Sequence, residues 1–165
     1  MIKKLTACVL VMIMALSTVA FAAVPAGHWF EGMAPQAAEF YKAVGDEGFN
    51  PDELVTYAKF ADIATNAIYR AIAYPTDKAE ELITRYDALA IICERMNYKY
   101  DLAEEEELTA ALAIADFNDM PQEYKQTALL SVHKGLIKGD ENGCVNMDQP
   151  VTYAELLTIF VRTKN

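Results

Sequence analysis

Basic charge is scarce in this chain. It carries 14 Lys and Arg against 24 Asp and Glu, a formal net charge of −10 over 165 residues. That balance excludes binding to nucleic acid or anionic lipid through bulk electrostatics. Cysteine is scarce as well: Cys8, Cys93 and Cys144 are too few for a disulfide framework. The two histidines, His28 and His133, have no partner at metal-ligand spacing. Ser131 falls in a helical pattern without a G-x-S-x-G context, and neither Cys93 nor Cys144 has a His partner by sequence. No catalytic constellation emerges, so the chain is not expected to be an enzyme or to need a cofactor or metal. There is no Ser/Gly linker and no low-complexity tract.

The start of the chain has the three-part layout of a secretory signal. Lys3 and Lys4 precede an apolar stretch from Leu5 to about Ala20, followed by the small-x-small pattern Ala20-Phe21-Ala22. The apolar stretch is short for a membrane span. Residues 1–22 therefore read as a signal peptide cleaved after Ala22. Leu5-Thr6-Ala7-Cys8 has the composition of a lipoprotein box, but only seven residues precede Cys8, leaving no apolar core upstream. Cleavage leaves 143 residues, enough to bury a core without staples, and removes two Lys, which takes the net charge to −12. No membrane contact is expected after cleavage. Cys93, in an apolar helical run, reads as a small buried hydrophobe; whether it meets Cys144 depends on the fold.

Helical signals dominate the rest. Helices are expected at about 34–44, 56–73, 84–97, 104–114, 122–134 and 152–162. The acids of Glu104 to Glu107 suit a helix start. Successive helical residues point in different directions, so these four do not converge on one cation. Gly135 marks a helix end. A Gly/Asn/Asp-rich loop runs on to Thr152, with a short extended piece expected near Cys144 and Val145. The segment Asp140 to Asp148 is faintly similar to a calcium loop, but it lacks the sixth-position Gly and has Val151 at the twelfth position.

Three helix starts look alike: Val55-Thr56-Tyr57-Ala58-Lys59, Ile83-Thr84-Arg85-Tyr86-Asp87 and Val151-Thr152-Tyr153-Ala154-Glu155. Each has a β-branched residue, a Thr cap and an apolar helix with Ile at one offset (Ile63, Ile91, Ile159). Thr152 with Glu155 reads as a full capping box and Thr84 with Asp87 as a shorter-armed one, while Thr56 with Lys59 keeps only the cap. Such internal similarity points to a repeat architecture. The last unit is the most complete. It opens on Phe117-Asn118-Asp119-Met120-Pro121, passes through Gly135-Leu136-Ile137-Lys138-Gly139 and an acidic loop to Pro150, and closes with Thr152 to Arg162.

That order resembles a repeat of the S-layer homology (SLH) family, with its F-x-D-x-P opening, G-I-x-x-G turn and T-R-A-E helix start. Ile83 to Arg95 resembles the second half of a preceding repeat, and His28-Trp29 through Thr56 a compressed first one. The resemblance implies a mostly α fold of helix-loop-helix repeats in a pseudo-threefold bundle. It implies a divergent first repeat at 23–80, a partial second at 81–114 and a complete third at 115–165. Thr56 and Thr84 are 28 residues apart and Thr84 and Thr152 are 68 apart, so either the middle repeat lacks its front half or the first is something else.

Functionally, the resemblance implies an exported module at a bacterial cell wall or cell surface that binds pyruvylated secondary cell-wall polysaccharide or peptidoglycan without a covalent bond. The implied polysaccharide-binding set is Arg85, Trp29, Asp119, Gly139 and Tyr153. A guanidinium suits a carboxylate, and an indole can stack on the apolar face of a sugar. Only Arg85 occupies the Arg position of T-R-A-E; Tyr57 and Tyr153 stand at the other two. Tyrosine cannot neutralise an acid, so the alternative is an SLH-derived structural or protein-interaction module with another envelope protein as partner. On either reading Arg85 is expected to be a surface cation whose removal leaves stability nearly unchanged.

Overall fold

The computed structural model describes residues 24–41 and 50–164. The expected signal peptide lies outside them. The described residues form six α-helices and no strand. They are α1 (Ala34–Tyr41), α2 (Tyr57–Ile68), α3 (Arg85–Arg95), α4 (Glu104–Leu112), α5 (Gln122–His133) and α6 (Tyr153–Arg162). The chain is a helical bundle: α1 packs on α6 and α2, α2 on α3, and α5 against both α3 and α4. Helix α6 is buried nearly all round, from Tyr153 through Val161 except at Glu155, as expected of a helix at the centre of a bundle. Phe40 of α1 meets Phe160 of α6 with ring centroids 5.8 Å apart. At the edge of that contact Lys164 pairs with Glu39 at 2.6 Å and lies over the Phe40 ring.

The three similar helix starts meet. Val55 N–H donates to the carbonyl of Val151 (3.0 Å), Val151 N–H to that of Ile83 (3.1 Å), and Ile83 N–H to that of Val55 (2.9 Å), closing a ring. All three side chains are fully buried. Around the ring, the first helical amides of Tyr57, Arg85 and Tyr153 donate to the carbonyls of Glu81, Gln149 and Glu53. The second amides, of Ala58, Tyr86 and Ala154, donate to Ala79, Met147 and Pro51. These six bonds measure 2.9 to 3.0 Å, and the register is the same at each of the three junctions. The third amide of each helix (Lys59, Asp87, Glu155) donates to the hydroxyl of its own Thr cap. A helix start leaves its first amides without intrahelical acceptors. Here the neighbouring segment takes two and the Thr takes one. The short extended piece expected near Cys144 is not a strand; the isolated bridges are Leu54 with Thr152, Thr56 with Leu82, and Thr84 with Pro150.

Two local expectations change. Thr152 and Glu155 form the full capping box, with the Glu155 carboxylate accepting the Thr152 amide at 3.1 Å. Asp87 does not reach back in this way. Its Oδ2 accepts the hydroxyls of Thr84 and of Tyr57, both at 2.7 Å, so the shorter arm is spent on a neighbouring unit. Helix α2 stops at Ile68, before the expected end near Ala73, because Tyr69 adopts a left-handed conformation (φ 52°). The Thr65 hydroxyl then accepts the Ile72 amide. Between α2 and α3 there is no front helix, only the 3-10 turn Thr76–Lys78. Even so, this short segment supplies the Ala79 and Glu81 carbonyls to the ring.

Ile83→Ala, which opens a void beside the ring, should lower stability by about 2–5 kcal/mol in urea denaturation. Thr152→Ala, which removes one cap, should cost about 1 kcal/mol. Equal losses in the two variants would mean that the ring is no more important than an ordinary helix start.

Candidate functional site

A cleft of about 940 Å³ lies between α6, the loop 137–146 and Trp29. Its lining brings together Trp29, Arg85 and Gly139 of the expected set. Trp29 is 57% exposed, on a turn whose next residue, Phe30, is fully buried. Three of the cations in this acidic chain, Arg85, Lys138 and Arg162, share the lining with Asp140, Glu141 and Glu155.

Arg85 is not the free surface cation expected from its place at a helix start. Its side chain is 14% exposed. One guanidinium nitrogen donates to the carbonyls of Val145 and Asn146, the latter at 3.2 Å, and the other pairs with Glu155 Oε1. The ring register explains the pairing. It places the first residue of α3 beside the third residue of α6, just as it places Tyr57, first in α2, against Asp87, third in α3. Tyr57 is 7% exposed; burial, and then the hydrogen bond to Asp87, push its phenol well above the ordinary range. Tyr153 is 5% exposed and outside the cleft lining. Both tyrosines therefore stand in the core.

The loop wall is held by two aspartates. Asp116 accepts the amides of Val145 and Asn146, each at 2.9 Å. Asp140 accepts the amides of Asn142 and Cys144 and the side-chain amide of Asn146. These bonds, led by that from Cys144, hold the Asp140 carboxyl below its ordinary value. Gly139 is glycine for steric reasons. A Cβ there would sit 2.5 to 2.7 Å from the Gly143 backbone, and the loop could not close.

Asp119 lies elsewhere. It is exposed beside a smaller hollow of about 190 Å³ with Asp116, Tyr124 and Asp148. Both cysteines among the described residues are free: Cys93 is buried with its sulfur 3.9 Å from the Ser131 hydroxyl, and Cys144 lines the cleft. Sequence reasoning missed Lys138, Arg162 and Glu155 as cleft residues. Glu155 was legible only as a capping acid. Arg162 donates to the Leu136 carbonyl at 3.0 Å, and burial pulls its guanidinium pKa down. The Thr158 hydroxyl also borders the cleft, buried and without a hydrogen-bond partner.

Chemically, the cleft offers one exposed aromatic face, a cationic wall and a loop of backbone groups. It does not present a nucleophile beside a base: among the described residues the thiol nearest to hand, Cys144, is pushed up by burial and by Asp116 and Asp140. Comparison of the chain with protein-family models, with curated proteins and with solved structures finds no match.

The depressed Asp140 carboxyl has a definite sign. A lowered folded-state value contributes stability that is complete above the unfolded value, about 3.9, and is lost as pH falls through the lower folded one. Amide hydrogen exchange at Asn142 and Cys144, followed from pH 5 to pH 2, should show protection falling in that acid window. The Asp140→Asn variant should lack this titration; an unchanged profile would mean that another acid controls the turn.

Proposed function

We propose that this chain is an exported module of the SLH type that holds acidic cell-wall polysaccharide, a pyruvylated glycan or modified peptidoglycan, in the cleft beneath Trp29. The observation that carries this reading is the convergence of Trp29, Arg85 and Gly139, far apart in sequence, on one cleft in a chain of net charge −10. The matching hydrogen-bond register at the three helix starts supports three related units, the middle one reduced at its front. Within the cleft the indole would stack on a sugar ring. Lys138, Arg162 and the outward edge of Arg85 would meet its carboxylate, and loop 139–144 would take hydroxyls. Asp119 and Tyr153 have no part in this mode of binding, since one borders another hollow and the other is buried.

A second reading is favoured by the state of Arg85. Its guanidinium already has three partners, and the phenols at the two corresponding positions are buried. On that reading the scaffold is retained as a structural or protein-interaction module, and the glycan function is gone.

Sedimentation with purified cell walls, with and without their pyruvyl groups, separates the two. Trp29→Ala should weaken wall binding roughly tenfold, on the order of 1.4 kcal/mol, with no change in melting temperature. Arg85→Ala should abolish binding and also cost about 1–3 kcal/mol of stability, because it leaves Glu155 and two carbonyls without their partner. Wild-type protein that stays in the supernatant with both wall preparations would support the second reading.

A further inference from the structure

We propose that Thr158 and Arg162 form the acid-reading subsite of the cleft, the pair that takes the carboxylate of a glycan held beneath Trp29. Their role rests on the glycan reading above and adds the groups that make the cleft prefer an acid. Both side chains line the cleft and lie four residues apart on α6, so they share one face of that helix. Thr158 is 4% exposed, and among the described residues its hydroxyl is the one buried side-chain hydroxyl without a partner. A threonine inside a helix can return its hydroxyl to the carbonyl one turn back; Thr158 does not. An unmet buried hydroxyl is costly, and this one stands at the wall of an open cleft where a ligand oxygen can meet it. Helices admit two χ1 rotamers for threonine, so a turn about that bond exchanges methyl and hydroxyl and brings the oxygen to the cleft.

The cations of the cleft differ in what already answers their charge. Arg85 is paired with Glu155, and its other terminal nitrogen donates to the Val145 and Asn146 carbonyls. Lys138 is an exposed ammonium, and a charge contact in water is worth little. Arg162 donates to the Leu136 carbonyl, and no carboxylate among the described residues pairs with it. Burial already weighs against its charge, and the end of α6 supplies only the partial negative charge of a helix terminus. A ligand carboxylate supplies a full one. One of its oxygens accepts from the free side of the guanidinium and the other from the Thr158 hydroxyl, both as charge-assisted bonds. A neutral sugar oxygen in the same place leaves the guanidinium unanswered.

Calorimetric titration with a pyruvylated methyl hexoside, and with its methyl ester, which keeps the shape and loses the charge, tests the pair. The wild type should bind the acid and discriminate against the ester on the order of a hundredfold. Thr158→Val is close to the same shape without the hydroxyl. It should bind the acid about tenfold more weakly. Its melting temperature should hold or rise, because the hydroxyl it removes has no partner in the free protein. Arg162→Gln should bind acid and ester alike. Equal binding of acid and ester by the wild type, or an undiminished preference for the acid in either variant, would overturn the assignment and leave the glycan reading intact. A melting temperature several degrees lower in Thr158→Val would also overturn it, since the hydroxyl would then hold the fold. Wild-type protein that binds neither compound would remove the glycan reading and this pair together.

Discussion

Three buried β-branched residues, Val55, Ile83 and Val151, pass backbone hydrogen bonds to one another in a closed ring, and the positions of the three Thr-capped helix starts follow from it. Each junction adds two further bonds from helical amides that no helix can satisfy internally. A buried amide left unpaired costs about 1–3 kcal/mol, so the three segments constrain one another in register as well as in contact. A one-residue slip at any junction would strand the first two amides of one helix together with a ring amide. This explains how the segment between α2 and α3 can be reduced to a single 3-10 turn without loss of the pattern. The ring needs carbonyls from Ala79 and Glu81, not a helix in front of them.

The cleft is a consequence of that register. At one junction Arg85 meets Glu155, and at the next Tyr57 meets Asp87. The same geometry therefore builds a charged, partly open position in one place and a buried phenol–carboxylate contact in another. The loop wall opposite is closed by Asp116 and Asp140, whose carboxylates are committed to backbone amides, and by a Gly139–Gly143 approach that no side chain could share. In an acidic chain, committing these acids to local amides leaves the exposed Lys138 beside the exposed indole of Trp29.

Much of the fold was legible because its signals are local. The six helices fall within a few residues of where apolar periodicity and Thr, Gly and Pro markers put them. The exceptions are informative. Tyr69 ends α2 early by turning left-handed, and no turn residue announces it. Asp87 abandons the capping box because a hydroxyl 30 residues away competes for its carboxylate. The candidate site was legible in part. Trp29, Arg85 and Gly139 share the cleft, yet Arg85 emerges tied down where a free cation was expected, and Tyr153 emerges buried. Lys138 and Arg162 carried no pattern of their own.

The sequence by itself determined the helical class, the three Thr-capped starts and the acidic balance, since each depends on residues within a turn of one another or on a simple count. Only the tertiary structure decided what those starts face. The partners of Arg85 lie 60, 61 and 70 residues away, and Trp29 reaches the cleft from the far end of the chain. Contacts over such separations are set by the ring's register, and no local propensity encodes them.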